Sequence, residues 1–107
     1  MKRYDVLLTA GAERDMEALY DYVAEFDSVA QAEALLEKIL QTANSLAMHQ
    51  ERGTYPKELL SLGIREYRQL FFKPYRVIYR VLGKHVYIYL IVDGRRDLST
   101  LLATRLL

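Results

Sequence analysis

The stretch Ile64–Val92, IREYRQLFFKPYRVIYRVLGKHVYIYLIV, carries the most regular pattern in the chain. Ile64 to Phe72, Tyr75 to Leu82 and His85 to Val92 are rich in β-branched and aromatic residues, and only Lys73-Pro74 and Gly83-Lys84 separate them. Runs of that composition with two-residue connections predict three strands of an antiparallel meander. A side-chain period of two puts Tyr75, Val77, Tyr79 and Val81 on one face of the middle strand and Arg76, Ile78, Arg80 and Leu82 on the other. The third run is apolar on both faces, which predicts a central strand.

Upstream, YDVLLT (4–9) ends at Ala10-Gly11 and reads as an opening strand. Ala12, Met16, Leu19, Tyr20 and Val23 then follow helical spacing, with Asp15, Glu17, Asp21 and Glu25 facing away. Ser28 with Gln31 three residues later has the form of a capping box. It predicts a second helix that carries Val29, Ala32, Leu35, Leu36, Ile39, Leu40, Ala43 and Leu46 inward. Met48 to Gly63 reads as a polar connector with a turn of helix at Lys57 to Leu60. Downstream of the meander, Asp97 is placed to cap a last short helix containing Leu98, Leu101, Leu102 and Leu106. The order is β-α-α-β-β-β-α. A helical hairpin must bury its apolar stripe on one sheet face, so the expected fold is α+β, two-layer, with the hairpin packed on an antiparallel sheet. Residues 1–107 form one domain.

With 107 residues the chain can bury a real core, but not a core plus an elaborate enclosed active site. The absence of cysteine excludes a disulfide scaffold, a thiolate zinc site and a cysteine nucleophile. No apolar run approaches the ~20 residues that span a bilayer, and the stretch after MKRYD is too short for a signal peptide. A cytoplasmic protein with no membrane partner is the expectation. The net charge of +1 conceals a division along the chain: residues 4–37 hold nine acids and one base, whereas residues 52–107 hold eleven bases and four acids. Folded, such a chain presents a negative helical side and a positive sheet side that attracts anionic partners, unless the halves simply neutralise each other.

Little in the chain has the form of a catalytic motif. His49 and His85 have no partners at metal-ligand spacing, and no phosphate loop, G-x-S-x-G elbow or dinucleotide fingerprint occurs. No metal or cofactor is expected. What remains is basic and aromatic: Arg68, Lys73, Arg76 and Arg80 on the meander and Arg95 and Arg96 after it, interleaved with Tyr67, Tyr75, Tyr79, Tyr87 and Tyr89. Arginines on a sheet face hold phosphates, and tyrosines stack on bases or move protons. Packing is the competing role for Tyr75 and Tyr79, and an arginine beside Ile78 and Leu82 either pairs with a carboxylate or faces a partner. The last helix looks too short to cover Ile78, Leu82 and Ile88 or Leu90 on the second sheet face. An acidic, amphipathic or disordered protein segment is therefore expected to lie there.

These residues resemble the RelE/ParE superfamily of toxins from bacterial type II toxin-antitoxin pairs. YDVLLTAGAERDMEALYDYV is similar to the superfamily's first strand and helix, LGIREYRQLFFKPYRVIYRV to its paired strands, and DGRRDLSTLL to its closing turn and helix. For RelE-like members the resemblance implies cleavage of messenger RNA on the ribosome, with Arg76, Arg96 and Arg68 as the matching basic residues. The closely spaced lysines of that pattern are absent, however, and Leu102 stands where it has a tyrosine. The proton-transfer group is thus missing, and such a loss costs orders of magnitude in rate. ParE-like members lack the nuclease residues and poison DNA gyrase, which implies binding without catalysis, growth arrest and plasmid stabilisation. A cognate antitoxin would wrap the toxin, and the complex would reach DNA through the antitoxin. The expected contacts with target or antitoxin are Arg76, Arg96, Arg95, Lys73, Arg80, Ile78 and Leu82.

Overall fold

The computed structural model describes residues 3–107, so Met1 and Lys2 of the expected domain lie outside the described residues. The elements are β1 (Asp5–Leu8), α1 (Ala10–Phe26), α2 (Val29–Asn44), α3 (Lys57–Leu60), β2 (Arg68–Phe72), β3 (Tyr75–Leu82), β4 (His85–Asp93) and α4 (Ser99–Leu106). Side-chain caps set both long helices. Thr9 Oγ1 accepts from Ala12 N at 3.2 Å, and Ser28 Oγ accepts from Gln31 N at 3.0 Å, satisfying amide groups that a first turn leaves unpaired. At α4, Asp97 Oδ1 accepts from Ser99 N at 3.1 Å, so the expected capping side chain acts one residue outside the positional cap, Leu98.

The sheet order is β1-β4-β3-β2. The meander β2–β3–β4 is antiparallel, and β4 lies inside the sheet as its two apolar faces required. The α+β architecture agrees with the sequence. The sheet is nevertheless mixed, because β1 joins β4 in parallel, Asp5 opposite His85 and Leu8 opposite Ile88. No described helix is long and apolar enough to cross a membrane.

The helical hairpin covers the first face. Ala12, Met16, Ile39, Ala43 and Leu46 meet Leu70, Val77, Tyr79, Val86, Ile88 and Ile91 there. Val29 is an exception to the inward stripe. It is 54% exposed near the turn between the two helices, where Tyr22 and Phe26 are exposed as well. Tyr79 is fully buried as a packing residue, and its hydroxyl donates to Gln50 O at 2.8 Å and accepts from Gly53 N at 3.0 Å. Burial raises the Tyr79 pKa above its ordinary value. A Cβ at Gly53 would sit 2.5 Å from that hydroxyl, so only glycine lets the connector approach so closely.

The second face departs from expectation. Leu59 of α3, Tyr67, and Leu98 and Leu102 at α4 close over Ile78, Leu90 and Val92, making a second core. Ile78 is fully buried, so the expected contact at Ile78 is corrected: the connector helix helps α4 cover what α4 alone would leave open. A register shift decides which β4 residues belong to this core. Ile78 pairs with Leu90 and Tyr79 with Ile88, leaving Tyr89 as an extra residue. The bulge reverses the alternation, sending Ile88 to the hairpin side and Leu90 to the α4 side.

Candidate functional site

The second face has two ends, and β3 contributes an arginine to each. At the covered end, Arg76 donates from Nη1 to Glu58 Oε2 at 2.8 Å, from Nη2 to Glu58 Oε1 at 2.9 Å and from Nε to Gln69 Oε1 at 2.8 Å. Both charged side chains are nearly out of solvent, at 6% and 10% exposure. The fork fits both carboxylate oxygens, the geometry that makes a guanidinium pair strong. The Arg76 hydrogen bonds hold the Glu58 carboxyl below its ordinary pKa of 4.5 against the opposing effect of burial. Gly94 packs on the Arg76 stem, where an added Cβ would lie 2.8 Å from Cγ. The expectation that Arg76 is free to meet a partner is therefore corrected. Its charge is spent inside the molecule.

Two further arginines are also committed. Arg95 bonds Asp93 through its backbone N at 2.9 Å and its side chain at 3.0 and 2.6 Å, which pulls the Asp93 carboxyl down to about 2. Arg105 of α4 reaches Asp15 of α1 with two bonds of 3.1 Å, and Nη2 also donates to Tyr89 O at 3.1 Å. Asp15 Oδ2 in turn accepts from Ile91 N at 3.1 Å. Beyond the end of β1, the edge of β4 thus bonds to an ion pair in place of a strand. Asp15, expected to face solvent, is half-buried for this reason.

The open end is built differently. Arg68, opposite Tyr79 in the register, leaves β2 on the hairpin face and borders this end from the sheet edge, 4.6 Å over the Tyr55 ring and donating to Gly53 O at 3.0 Å and Tyr55 Oη at 3.1 Å. Arg80 lies 5.7 Å over the Tyr67 ring. Tyr67 meets Tyr89 edge-on at 5.5 Å, and the row runs on through Tyr87 to His85 with ring separations of 6.5 and 5.8 Å. A cavity of about 290 Å³ is lined by Tyr55, Arg65, Glu66, Arg68, Arg80 and Leu82. Among the described residues, neither Arg65, Arg68 nor Arg80 has a carboxylate within 4.0 Å. Arg65 is exposed, Arg68 and Arg80 are half-buried, and Leu82 beside them is 40% exposed.

The structure therefore scatters the expected contacts. Arg80, Arg68 and Leu82 share the open end, while Arg95 and Arg96 sit exposed in the turn after β4 and Lys73 lies exposed in the β2–β3 turn. Leu102, where the RelE pattern has a tyrosine, is fully buried in the second core. Sequence reasoning missed Tyr55 and Arg65 as members of the open end. Tyr55 belongs to an irregular connector, where no period marks the face a side chain takes, and Arg65 lies in the part of the expected Ile64–Phe72 strand that stays outside β2, so its alternation did not hold.

The family model described as the ParE toxin of the type II toxin-antitoxin system, parDE, matches residues 6–98. Among solved structures the chain is similar to the chromosomal ParDE toxin-antitoxin system from P. aeruginosa, with 21% identity and a TM-score of 0.72, covering 85% of this chain and 96% of that one. It is also similar to the toxin-antitoxin complex RelBE2 from Mycobacterium tuberculosis, with 20% identity and a TM-score of 0.63, covering 87% of this chain and 93% of that one. No curated protein matches the sequence. At these identities the two structures speak for the fold alone.

Proposed function

The chain belongs to the ParE toxin family of type II toxin-antitoxin systems, and from that premise we propose that it arrests growth by binding and poisoning DNA gyrase, breaking no nucleic-acid bond of its own. The observation that carries this reading is the state of the Arg76 neighbourhood. Strand cleavage through a 2′-hydroxyl needs cations at the phosphate and a positioned acid and base. Here the Arg76 guanidinium is neutralised by Glu58, the Glu58 carboxyl is held ionised by that same contact, and Leu102 offers only a buried aliphatic side chain. Neither a proton donor nor a free cation is left at that position. Binding to a macromolecule asks for nothing more than surface.

A cognate antitoxin neutralises the toxin in this reading. The support is the family, together with the two similar structures, which are of toxin-antitoxin systems. The exposed Lys73, Arg96 and Leu82 and the half-buried Arg80 are the contacts retained for target or antitoxin, and an acidic amphipathic segment complements them.

The test is a plasmid-cleavage assay. The purified chain, gyrase and supercoiled plasmid are incubated with ATP and the products are resolved after protein digestion. Accumulating linear DNA is the expected result. Unaffected supercoiling, together with codon-positioned cuts in messenger RNA mapped by primer extension after induction, would replace the reading with RNA cleavage.

A further inference from the structure

We propose that the turn between α1 and α2 is the surface that grips the target, with Tyr22 and Phe26 as its anchors and the acids beside them set against a basic protein surface. This rests on the gyrase reading and names the part of the molecule that carries it.

Phe26 and Tyr22, at 69% and 63%, are the most exposed aromatic side chains among the described residues, and Val29 on the other side of the turn is exposed too. The two rings lie four residues apart on α1 and meet at 4.8 Å between centroids, so they form one apolar pair and not two scattered residues. Neither belongs to the stripe of Ala12, Met16 and Leu19 that packs on the sheet. A cavity of about 450 Å³ adjoins the pair, lined by Tyr22 together with Leu19, Tyr75, Leu101 and the exposed Arg96. The surface thus offers aromatic rings beside a recess, and a few aromatic anchors of that kind carry most of the energy of a protein interface.

The charges decide what kind of protein it meets. Asp21, Glu25 and Asp27 are exposed and interleave with the rings in sequence, and none has a base within 4.0 Å among the described residues. The last turn of α1 carries no basic residue, although the helix dipole favours cations there and disfavours Glu25. Bare rings and unanswered acids at a helix C-terminus are local conflicts of the sort that mark a working surface. A basic partner with an apolar recess resolves both. An enzyme that handles DNA holds phosphates with Lys and Arg, and so presents basic surface. The antitoxin segment, expected to be acidic, is repelled here, which leaves it Lys73, Arg80 and Leu82.

The experiment titrates the purified full chain into the plasmid-cleavage assay with gyrase and reads the concentration that gives half-maximal linear DNA. Tyr22→Gln/Phe26→Gln is expected to need at least about tenfold more protein. Asp21→Lys/Glu25→Lys should also need more, by an excess that shrinks as salt is raised, while Thr104→Ala on the exposed side of α4 acts as wild type. The replaced side chains are exposed, and circular dichroism confirms that each variant is folded. A folded Tyr22→Gln/Phe26→Gln variant as potent as wild type would overturn the surface and leave the gyrase reading standing. Wild type that yields no linear DNA would remove the gyrase reading and this inference with it. Sedimentation tests the other occupant: a wild-type dimer that the same variant turns into a monomer would give the rings to a second copy of the chain and overturn the proposal.

Discussion

Arg76 and Arg80 lie four residues apart on one face of one strand, and they end in opposite circumstances. Arg76 runs under the connector, where Glu58 and Gln69 take up its hydrogen bonds and α4 closes the apolar floor beside it. Arg80 runs over a tyrosine ring at the uncovered end, with no carboxylate within 4.0 Å among the described residues. The strand period gives both the same direction. What separates them is the irregular segment between α2 and β2, which brings Glu58 within hydrogen-bond distance of Arg76 but puts no carboxylate within 4.0 Å of Arg80 among the described residues. A positive charge on a sheet is therefore a contact residue only where the rest of the chain has not already answered it.

The sharpest break between the two ends is thermodynamic. Arg76→Ala leaves the Glu58 carboxylate buried without its partner, and unfolding by urea should show a loss of about 3–5 kcal/mol. Replacing both members with apolar residues, as Glu58→Leu with Arg76→Met, should restore most of that loss, because the desolvated charge goes with its partner. An Arg76→Ala variant as stable as wild type would mean that the pair is loose in solution.

The α4 clasp comes next. Asp15→Ala strands the half-buried Arg105 guanidinium and removes the acceptor of Ile91 N, for an expected cost of about 1–3 kcal/mol. Hydrogen exchange should rise first in α4 and at Ile91. Uniform exchange across the sheet would contradict a local clasp.

Acid should act on the covered end before the open end. Glu58 is held below 4.5 by Arg76, and Asp93 lies near 2 instead of 3.8 by its bonds to Arg95. A carboxyl whose folded pKa is depressed contributes stability that is complete above its unfolded value and is lost as pH falls through the folded one. Stability should therefore be flat above about pH 5 and decline below it. The Glu58→Gln variant should show a shallower decline, and an identical acid profile for the two would remove Glu58 from the account. Smallest of all is Arg80→Ala, expected to change unfolding free energy by no more than about 0.5 kcal/mol. A larger loss would make the open end structural too.

Much of the fold was legible because it rests on local periods. The strands Tyr75–Leu82 and His85–Asp93 and the cap at Ser28 follow from neighbouring residues. The parts that decide the site do not. Glu58 meets Arg76 across 18 positions and Asp15 meets Arg105 across 90, and no sequence period links such pairs. The bulge at Tyr89 was equally hidden. VYIYLIV is apolar at every position, so nothing in it marks where the alternation reverses; the choice between Ile88 and Leu90 for the second face stayed open in the sequence, and the structure puts Leu90 there. Of the expected contacts, Arg80 and Leu82 could be placed by alternation alone, while Arg76 and Ile78 shared their face and were covered by elements whose packing the sequence does not show.

The most direct measurement is the plasmid-cleavage assay with gyrase, run on wild type and on the Glu58→Leu/Arg76→Met variant after circular dichroism shows the latter folded. If Arg76 is a strut and the toxin acts through its surface, the variant still drives linear DNA to accumulate. A well-folded variant that leaves gyrase untouched would return Arg76 to the working surface and contradict the account.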